Sequence, residues 1–273
     1  MIPKIIHYVW VGGAPKPRRV LECIDSWKKF CPDYVFQEWD DHNIDLISNR
    51  YLKEAYFAKK WAFVSDYLRL YALDRFGGIY FDTDIQLTRK IDNFLRNSFF
   101  IGYEYNRKLV VPSTALIGAE KANPIIRGFL KEYECLKFRQ DDGSYDTTTN
   151  VIRMQNYLHK NYGVMGITED IEKIKEISKG AMIYPYFYFC KPKFMRENYA
   201  IHKFEGSWLP CISRKNLYEI DLKALRLGKL RFVAFRKNKP LNSQVILPLV
   251  KNEKILLSSL WVGKYSCALT ISQ

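Results

Sequence analysis

Apolar positions recur in two periods along the first two-thirds of the chain. Short apolar runs at Ile2–Val11 and Tyr34–Trp39 read as buried strands, the first closed by the turn Gly12-Gly13-Ala14-Pro15 and the second by Asp40-Asp41. Between them, Val20, Leu21, Ile24, Trp27 and Phe30 fall at helical spacing over Pro17–Phe30. Val64, Leu68, Tyr71 and Ala72, flanked by Ala62, Leu70 and Leu73, predict a second helix. Gly77-Gly78 supply a left-handed position that ends it, and Ile79-Tyr80-Phe81 follow as a β-prone segment. Phe99–Tyr103 and Ala115–Gly118 predict further strands, and Pro124–Lys137 and Thr147–Lys160 further helices, divided by the turn-rich Gln140–Ser144. Strands alternating with helices predict an α/β layered sheet. The aromatic run Tyr184–Phe189 reads as strand-like, as does Tyr199-Ala200-Ile201, while the last 28 residues carry no assignable pattern. No internal repeat or low-complexity linker is evident.

The 273 residues, 48% hydrophobic and 15% aromatic, specify one large globular domain, or a core domain with an appendage, able to bury a substantial core. No run of about 18 apolar residues predicts a membrane-spanning helix, and the start lacks the apolar region of a signal peptide. There is no Asn-x-Ser/Thr sequon, and the six cysteines show no paired spacing. Buried thiols in a reduced, cytoplasmic chain are the expectation. Charge changes the picture more. Of the formal net +14, most lies from Lys191 onward, where 16 Lys and Arg face 5 Asp and Glu. Within Arg214–Lys239 the basic residues alternate with leucines, valine and phenylalanines. Such a stretch suits an anionic membrane surface or an anionic lipid-linked substrate, or it is a solvated face; a basic stripe alone is poor grounds for nucleic acid.

The most informative stretch is Phe63–Ile85. In an extended chain residues i and i+2 share a face, so Asp82 and Asp84, just past the strand Ile79–Phe81, are expected to point the same way. Two like charges held together call for a cation, and a hard divalent ion that also binds a diphosphate answers that need. Asp66 and Arg69, at i and i+3, share one helix face and can meet the same ligand. His202, after a strand-like segment, completes an Asp/His donor set that suits Mn²⁺ better than Mg²⁺. Trp10, at a strand end before a glycine turn, offers an indole for a nucleobase, whereas His7 reads as a core histidine. Ser207 and the Trp208 N–H are donors suited to diphosphate oxygens.

The combination Ile2–Gly12, Ser65-Asp66-Tyr67-Leu68-Arg69, Gly77–Asp84 and the late His202–Trp208 element resembles the DXD-containing sugar-binding glycosyltransferases. These form family 32 of the carbohydrate-enzyme classification, which takes in Golgi initiating mannosyltransferases, and their core is similar to that of the large clostridial toxin glucosyltransferases. The resemblance covers residues 1–210, leaving 211–273 as a basic appendage for membrane-surface or acceptor binding. It implies a GT-A fold, a Rossmann-like nucleotide-sugar-binding mixed sheet flanked by helices, with a divalent metal and retention of anomeric configuration. By position, it implies that Val9 and Trp10 hold the nucleobase and Ser65 the ribose, with Tyr80 and Ser207 in the same donor-binding set. Asp66 and Arg69 would bind sugar hydroxyls, and Asp82 ribose and sugar. Asp84 and His202, joined by Asp82, would ligate Mn²⁺ (or Mg²⁺), and Trp208 would hydrogen-bond the leaving diphosphate. The expected donor is a UDP-sugar, with GDP-mannose the alternative, and the acceptor a glycan or lipid-linked saccharide at the inner face of the membrane, as in polysaccharide biosynthesis. Two departures stand out: Thr147-Thr148-Thr149-Asn150 where many relatives have Gly-Pro, and no membrane anchor of the Golgi kind. Two rivals are an Asp-x-Asp phosphatase and a glycan- or nucleotide-binding module that has lost catalysis. The phosphatase places its acidic pair after the first strand, which 82–84 does not match.

Overall fold

A computed structural model describes residues 1–46, 48–106, 109–165 and 171–205, together with the backbone of four strands between residues 229 and 267. The chain divides into two compact units, Met1–Trp208 and Leu209–Gln273. In the first unit the order is β1 (Ile5–Val9), α1 (Arg18–Phe30), β2 (Val35–Trp39), α2 (Arg50–Phe57), α3 (Trp61–Phe76), β3 (Gly78–Phe81), β4 (Ile85–Leu87), β5 (Phe99–Asn106) and β6 (Leu109–Ala119). Then follow α4 (Pro124–Glu134), α5 (Asn150–Tyr162), β7 (Lys175–Ser178), β8 (Ala181–Tyr184), α6 (Tyr186–Phe189) and β9 (Ala200–His202).

Seven strands form one mixed sheet in the order β2-β1-β3-β6-β5-β8-β7, and β4 pairs with β9 apart from it. Strand β1 runs parallel to β2 and β3, whereas β3–β6 and β6–β5 are antiparallel. The sheet separates two cores, and the period of two along each strand assigns side chains between them. Ile79 and Phe81 join Val20, Cys23, Ile24 and Trp27 of α1 on one side. Tyr80, Phe99, Ile101 and Ile117 join α2, α3, α4 and α5 on the other. The expected mixed α/β sheet with flanking helices is thus present. Helix α3 is buried around most of its circumference, Asp66 and Arg69 included, because it packs between the sheet and α2, α4 and α5.

Local departures from the sequence reading have local causes. Leu21 is exposed, and Cys23 takes its place on the buried face of α1. Gly77 caps α3 with φ +67° and ψ −171°, so the chain passes straight from helix into strand instead of through a left-handed cap. Strand β8 stops at Tyr184 because Pro185 has no N–H to give a ladder, and Tyr186–Phe189 form one helical turn, not a strand. The short elements α2, β4 and β7 carry too few residues for periodicity to announce them. Buried Cys23 and Cys31 are free thiols whose pKa values burial pushes up, to about 11 and about 12.

In the second unit β10 (Lys229–Arg236) pairs antiparallel with β11 (Lys239–Pro248), and β12 (Leu260–Val262) with β13 (Tyr265–Cys267). The unassigned last 28 residues therefore contain strand. Ser207, Trp208 and the side chains of the basic stretch Arg214–Lys239 lie outside the described residues.

His7, on β1, ties the end of α3 to the sheet. Its Nε2 lies 2.8 Å from the Gly77 carbonyl, and its Nδ1 accepts from the Trp39 indole at 3.3 Å. A ring that accepts at Nδ1 and faces a carbonyl at Nε2 is neutral and protonated on Nε2. Burial lowers its pKa to about 4, which is the behaviour of a core histidine. Next to it, Gly78 has φ +107°, and a Cβ there would sit 2.6 Å from the Ile5 carbonyl oxygen and 3.2 Å from His7 Nε2. Gly78→Ala should therefore destabilise the protein by about 2 kcal/mol or more, through strain plus a backbone clash. Urea denaturation checks this, and a loss below about 0.5 kcal/mol would refute the packing described.

Candidate active site

Arg69 lies buried where α3 meets β3 and β6. Its Nη1 donates to the Thr114 carbonyl at 2.7 Å and its Nε to the Ser65 carbonyl at 3.2 Å. Its Nη2 reaches Ser65 Oγ at 3.1 Å, Asp66 Oδ1 at 2.9 Å and Asp82 Oδ1 at 3.3 Å. The guanidinium also lies 4.7 Å from the centre of the Tyr80 ring, whose hydroxyl donates to Asp82 Oδ1 at 2.9 Å. One cation thus joins the helix acid to the first acid of the DXD motif, with Tyr80 underneath. Asn150, the first residue of α5, donates from Nδ2 to the Asp66 backbone carbonyl at 3.3 Å, and its backbone N–H favours the ionised Asp66 carboxylate.

Asp82 and Asp84 come together by a route other than the one extended geometry predicts. The strand ends at Phe81, and Asp82–Asp84 form a tight turn in which the Ile85 N–H donates to the Asp82 carbonyl at 3.0 Å. The turn satisfies backbone groups that a continuing edge would leave open, and it re-aims the chain into β4. Helix α1 grips β4 there: the Trp27 indole donates to the Ile85 carbonyl at 2.6 Å, and Ser26 Oγ accepts from the Leu87 N–H at 2.9 Å. Strand β9 pairs antiparallel with β4, setting His202 opposite Ile85. His202 Nε2 therefore lies 3.4 Å from Asp84 Oδ1, while the Glu205 N–H donates to Asp84 Oδ2 at 3.0 Å.

Ligand atoms of Asp82, Asp84 and His202 all lie within 4.8 Å of one another. The donor set fits a divalent ion. Two carboxylates and an imidazole suit Mn²⁺, and atoms about 2.1 Å from one ion at right angles stand about 3 Å apart, near the Asp84–His202 spacing. Phe204, at φ +53°, stacks on the His202 ring with centroids 4.0 Å apart.

The nucleobase residues of the sequence reading stand at the same end of the sheet. Parallel pairing of His7 with Tyr80 runs Val9 and Trp10 toward the level of Asp82. Val9 is buried in the core, and the Trp10 indole donates to the Ala14 carbonyl at 2.6 Å, bracing the glycine turn. Asp41 accepts from the N–H groups of Gly12 and Gly13 and, at 2.7 Å, from the Tyr56 hydroxyl. Gly12, at φ +89°, lies so near the Trp61 indole that a Cβ would come within 2.5 Å of it. Ser65, one turn beyond Trp61, donates to the Ala62 carbonyl at 2.7 Å.

Sequence reasoning missed Asp41, Asn150 and Glu104. Glu104 is a largely buried carboxylate on β5 whose Oε2 lies 3.9 Å from His202 Nδ1. A lone glutamate within the aromatic strand Phe99–Tyr105 was the signal for it.

The electrostatics follow from burial. Burial pushes the Asp66 pKa up to about 6, with Arg69 opposing and Asp82 reinforcing the shift. For Asp84 burial acts in the same direction, but the hydrogen bond and charge of His202 and the Glu205 N–H outweigh it and hold the carboxyl below its ordinary value. Burial disfavours the His202 cation, yet Asp84, then Asp82 and Glu104, raise its pKa. Between its unfolded value of 3.8 and about 6, Asp66 binds a proton more tightly in the folded state, so ionising it costs stability as pH rises through that window. The stability of Asp66→Asn relative to wild type should accordingly improve by about 2–3 kcal/mol between pH 4 and pH 7.5. Urea denaturation in EDTA at the two pH values measures this, and a constant difference would contradict it.

Residues 17–101 match the family model described as "Glycosyltransferase sugar-binding region containing DXD motif". An uncharacterized glycosyltransferase of Acanthamoeba polyphaga mimivirus is 24% identical over 224 residues, spanning 77% of this chain and 85% of its own. Among solved structures, the PaToxG glycosyltransferase has 21% identity and a TM-score of 0.47, over 59% of this chain and 70% of its own. A glycosyltransferase involved in the glycosylation of the major capsid of PBCV-1 has 9% identity and a TM-score of 0.43, over 76% of this chain and 95% of its own. Residues 17–101 are thus similar to the sugar-binding region of DXD-motif glycosyltransferases, and glycosyltransferase is the function that this match and the viral relative support.

Proposed function

We propose that the protein transfers a hexose from a nucleotide sugar to a hydroxyl of a glycan or lipid-linked saccharide, with retention at the anomeric carbon. The observation that carries this reading is the link through Arg69: a buried Asp66–Arg69 pair, suited to sugar hydroxyls, is joined at 3.3 Å to the Asp82/Asp84/His202 donor set. Sugar recognition and diphosphate neutralisation are thereby adjacent, as breaking a sugar–phosphate bond requires. A divalent ion held by Asp82, Asp84 and His202 would supply charge neutralisation for the departing diphosphate. The Val9–Trp10 end of β1 would take the base, Ser65 the ribose, and Ser207 and Trp208 the diphosphate oxygens. Arg69 is held by two backbone carbonyls, so it need not reorganise when donor binds. A UDP-sugar is the favoured donor, on the resemblance to the toxin glucosyltransferases.

Asp84→Ala should lower transfer by at least about 100-fold, the scale of losing one electrostatic stabiliser, and abolish the Mn²⁺-dependent part of UDP binding. Sugar-nucleotide turnover and calorimetry with and without Mn²⁺ check this, with circular dichroism reporting the fold. Undiminished Mn²⁺-stimulated turnover would overturn the metal assignment, and no turnover by wild type of any UDP- or GDP-sugar would favour a binding module.

The basic appendage is the proposed contact with an anionic membrane surface, where a lipid-linked acceptor would reside, on the cytoplasmic side. No helix among the described residues is long and apolar enough to cross a membrane. Support comes from the charge segregation, since each Lys or Arg near an anionic surface contributes about 1 kcal/mol. Wild type should sediment with phosphatidylserine vesicles at low salt and be released as salt rises, because screening sets in over about 8 Å at physiological strength. Charge reversal at Arg226, Lys229 and Arg231 should abolish sedimentation and spare donor hydrolysis. Failure of wild type to sediment would leave the stretch a solvated face.

A further inference from the structure

We infer that Glu104 is a positioning residue that accepts the Nδ1–H of His202 and so turns its Nε2 toward the metal. The inference rests on the metal reading above and names a residue outside the donor set. His202 offers Nε2 to the Asp84 side, at 3.4 Å, while Nδ1 is buried with no hydrogen-bond partner. A neutral imidazole that gives one lone pair to a cation carries its proton on the other nitrogen. A buried N–H left unmet costs about 1–3 kcal/mol, so a ring committed to a metal needs an acceptor behind it.

Glu104 stands on that side. Its Oε2 lies 3.9 Å from Nδ1, about 1 Å beyond an ordinary N–H···O distance. Ser113, on the neighbouring strand β6, donates from Oγ to the same Oε2 at 3.4 Å and anchors the carboxylate. Stacking on Phe204 fixes the plane of the ring. What remains to be set is which nitrogen faces the donor cluster, and a carboxylate at Nδ1 sets it. Glu104 lies against the ring nitrogen remote from Asp84 and is absent from the group of close donor atoms, so its place is behind the ligand. A carboxylate there also makes the imidazole a stronger donor.

The test is direct Mn²⁺ binding to the full chain, read from the electron paramagnetic resonance signal of free Mn²⁺ with no nucleotide present. Glu104→Ala should weaken Mn²⁺ binding by about 10–100-fold, the usual effect of removing such a partner. Glu104→Gln keeps an acceptor oxygen and loses the charge, so its loss should be smaller, about 3–10-fold, and it preserves shape if the alanine variant folds poorly. In a His202→Ala background either substitution should change affinity less than about 2-fold, because Glu104 then has nothing to orient. Full Mn²⁺ affinity in both variants would overturn the inference while leaving the metal site intact. An equal loss with and without His202 would also overturn it, showing that Glu104 acts on the ion by itself. Failure of wild type to bind Mn²⁺ would instead remove the metal reading, and this inference with it.

Discussion

A permanent positive charge buried between α3, β3 and β6 is the constraint around which the site is organised. Arg69 cannot lose its proton, and removing one partner from a buried ion pair typically costs about 3–5 kcal/mol. Its surroundings therefore have to be complete. Two backbone carbonyls, Ser65 Oγ, two carboxylates and the Tyr80 ring supply that completeness, and they come from a helix, a strand, a turn and the neighbouring strand. Satisfying one guanidinium thus fixes the relative positions of Asp66 and Asp82.

The second half of the site depends on strand pairing far along the chain. His202 reaches Asp84 because β9 pairs with β4, and β4 is held in place by the Trp27 indole and Ser26 of α1. The tight turn Asp82–Ile85 lets the chain leave the main sheet between these two attachments. Three segments more than 50 residues apart thereby define where Asp84 points. Only the turn residues themselves are local to the motif.

Charge balance explains why so many acids tolerate one another. Asp82 is compensated by Arg69, Asp84 by His202 and a backbone N–H, and Asp66 by Arg69 and the Asn150 N–H. Asp66 and Asp82 share one guanidinium while Asp84 leans on separate partners, so opposite charge or an N–H donor stands beside every acid of the cluster. Asp66 is the least compensated against its burial, which is why its pKa rises while that of Asp84 falls.

The sequence by itself determined the elements long enough to show a period and the residues whose chemistry is unusual for their position. The strands at 5–9 and 35–39 were legible as short apolar runs closed by turns, the helices at 18–30 and 61–76 as apolar residues at helical spacing, and the acidic pair by its place behind Gly77-Gly78. Asp66 and Arg69 stood out as charges in the middle of a helix whose other charges, Asp74 and Arg75, are confined to its last turn. Three things were decided only by tertiary structure. A turn, not an extended strand, brings Asp82 and Asp84 together, since four residues carry no periodicity. Tyr186–Phe189 coil into a helical turn although their aromatic composition favours strand, because Pro185 breaks the ladder ahead of them. Glu104 and Asn150 join the site only through pairing of β5 with β6 and the packing of α5 beneath Asp66. Local spacing reports which face a residue occupies, whereas the identity of its neighbour across the fold is set by contacts between segments that no local pattern encodes.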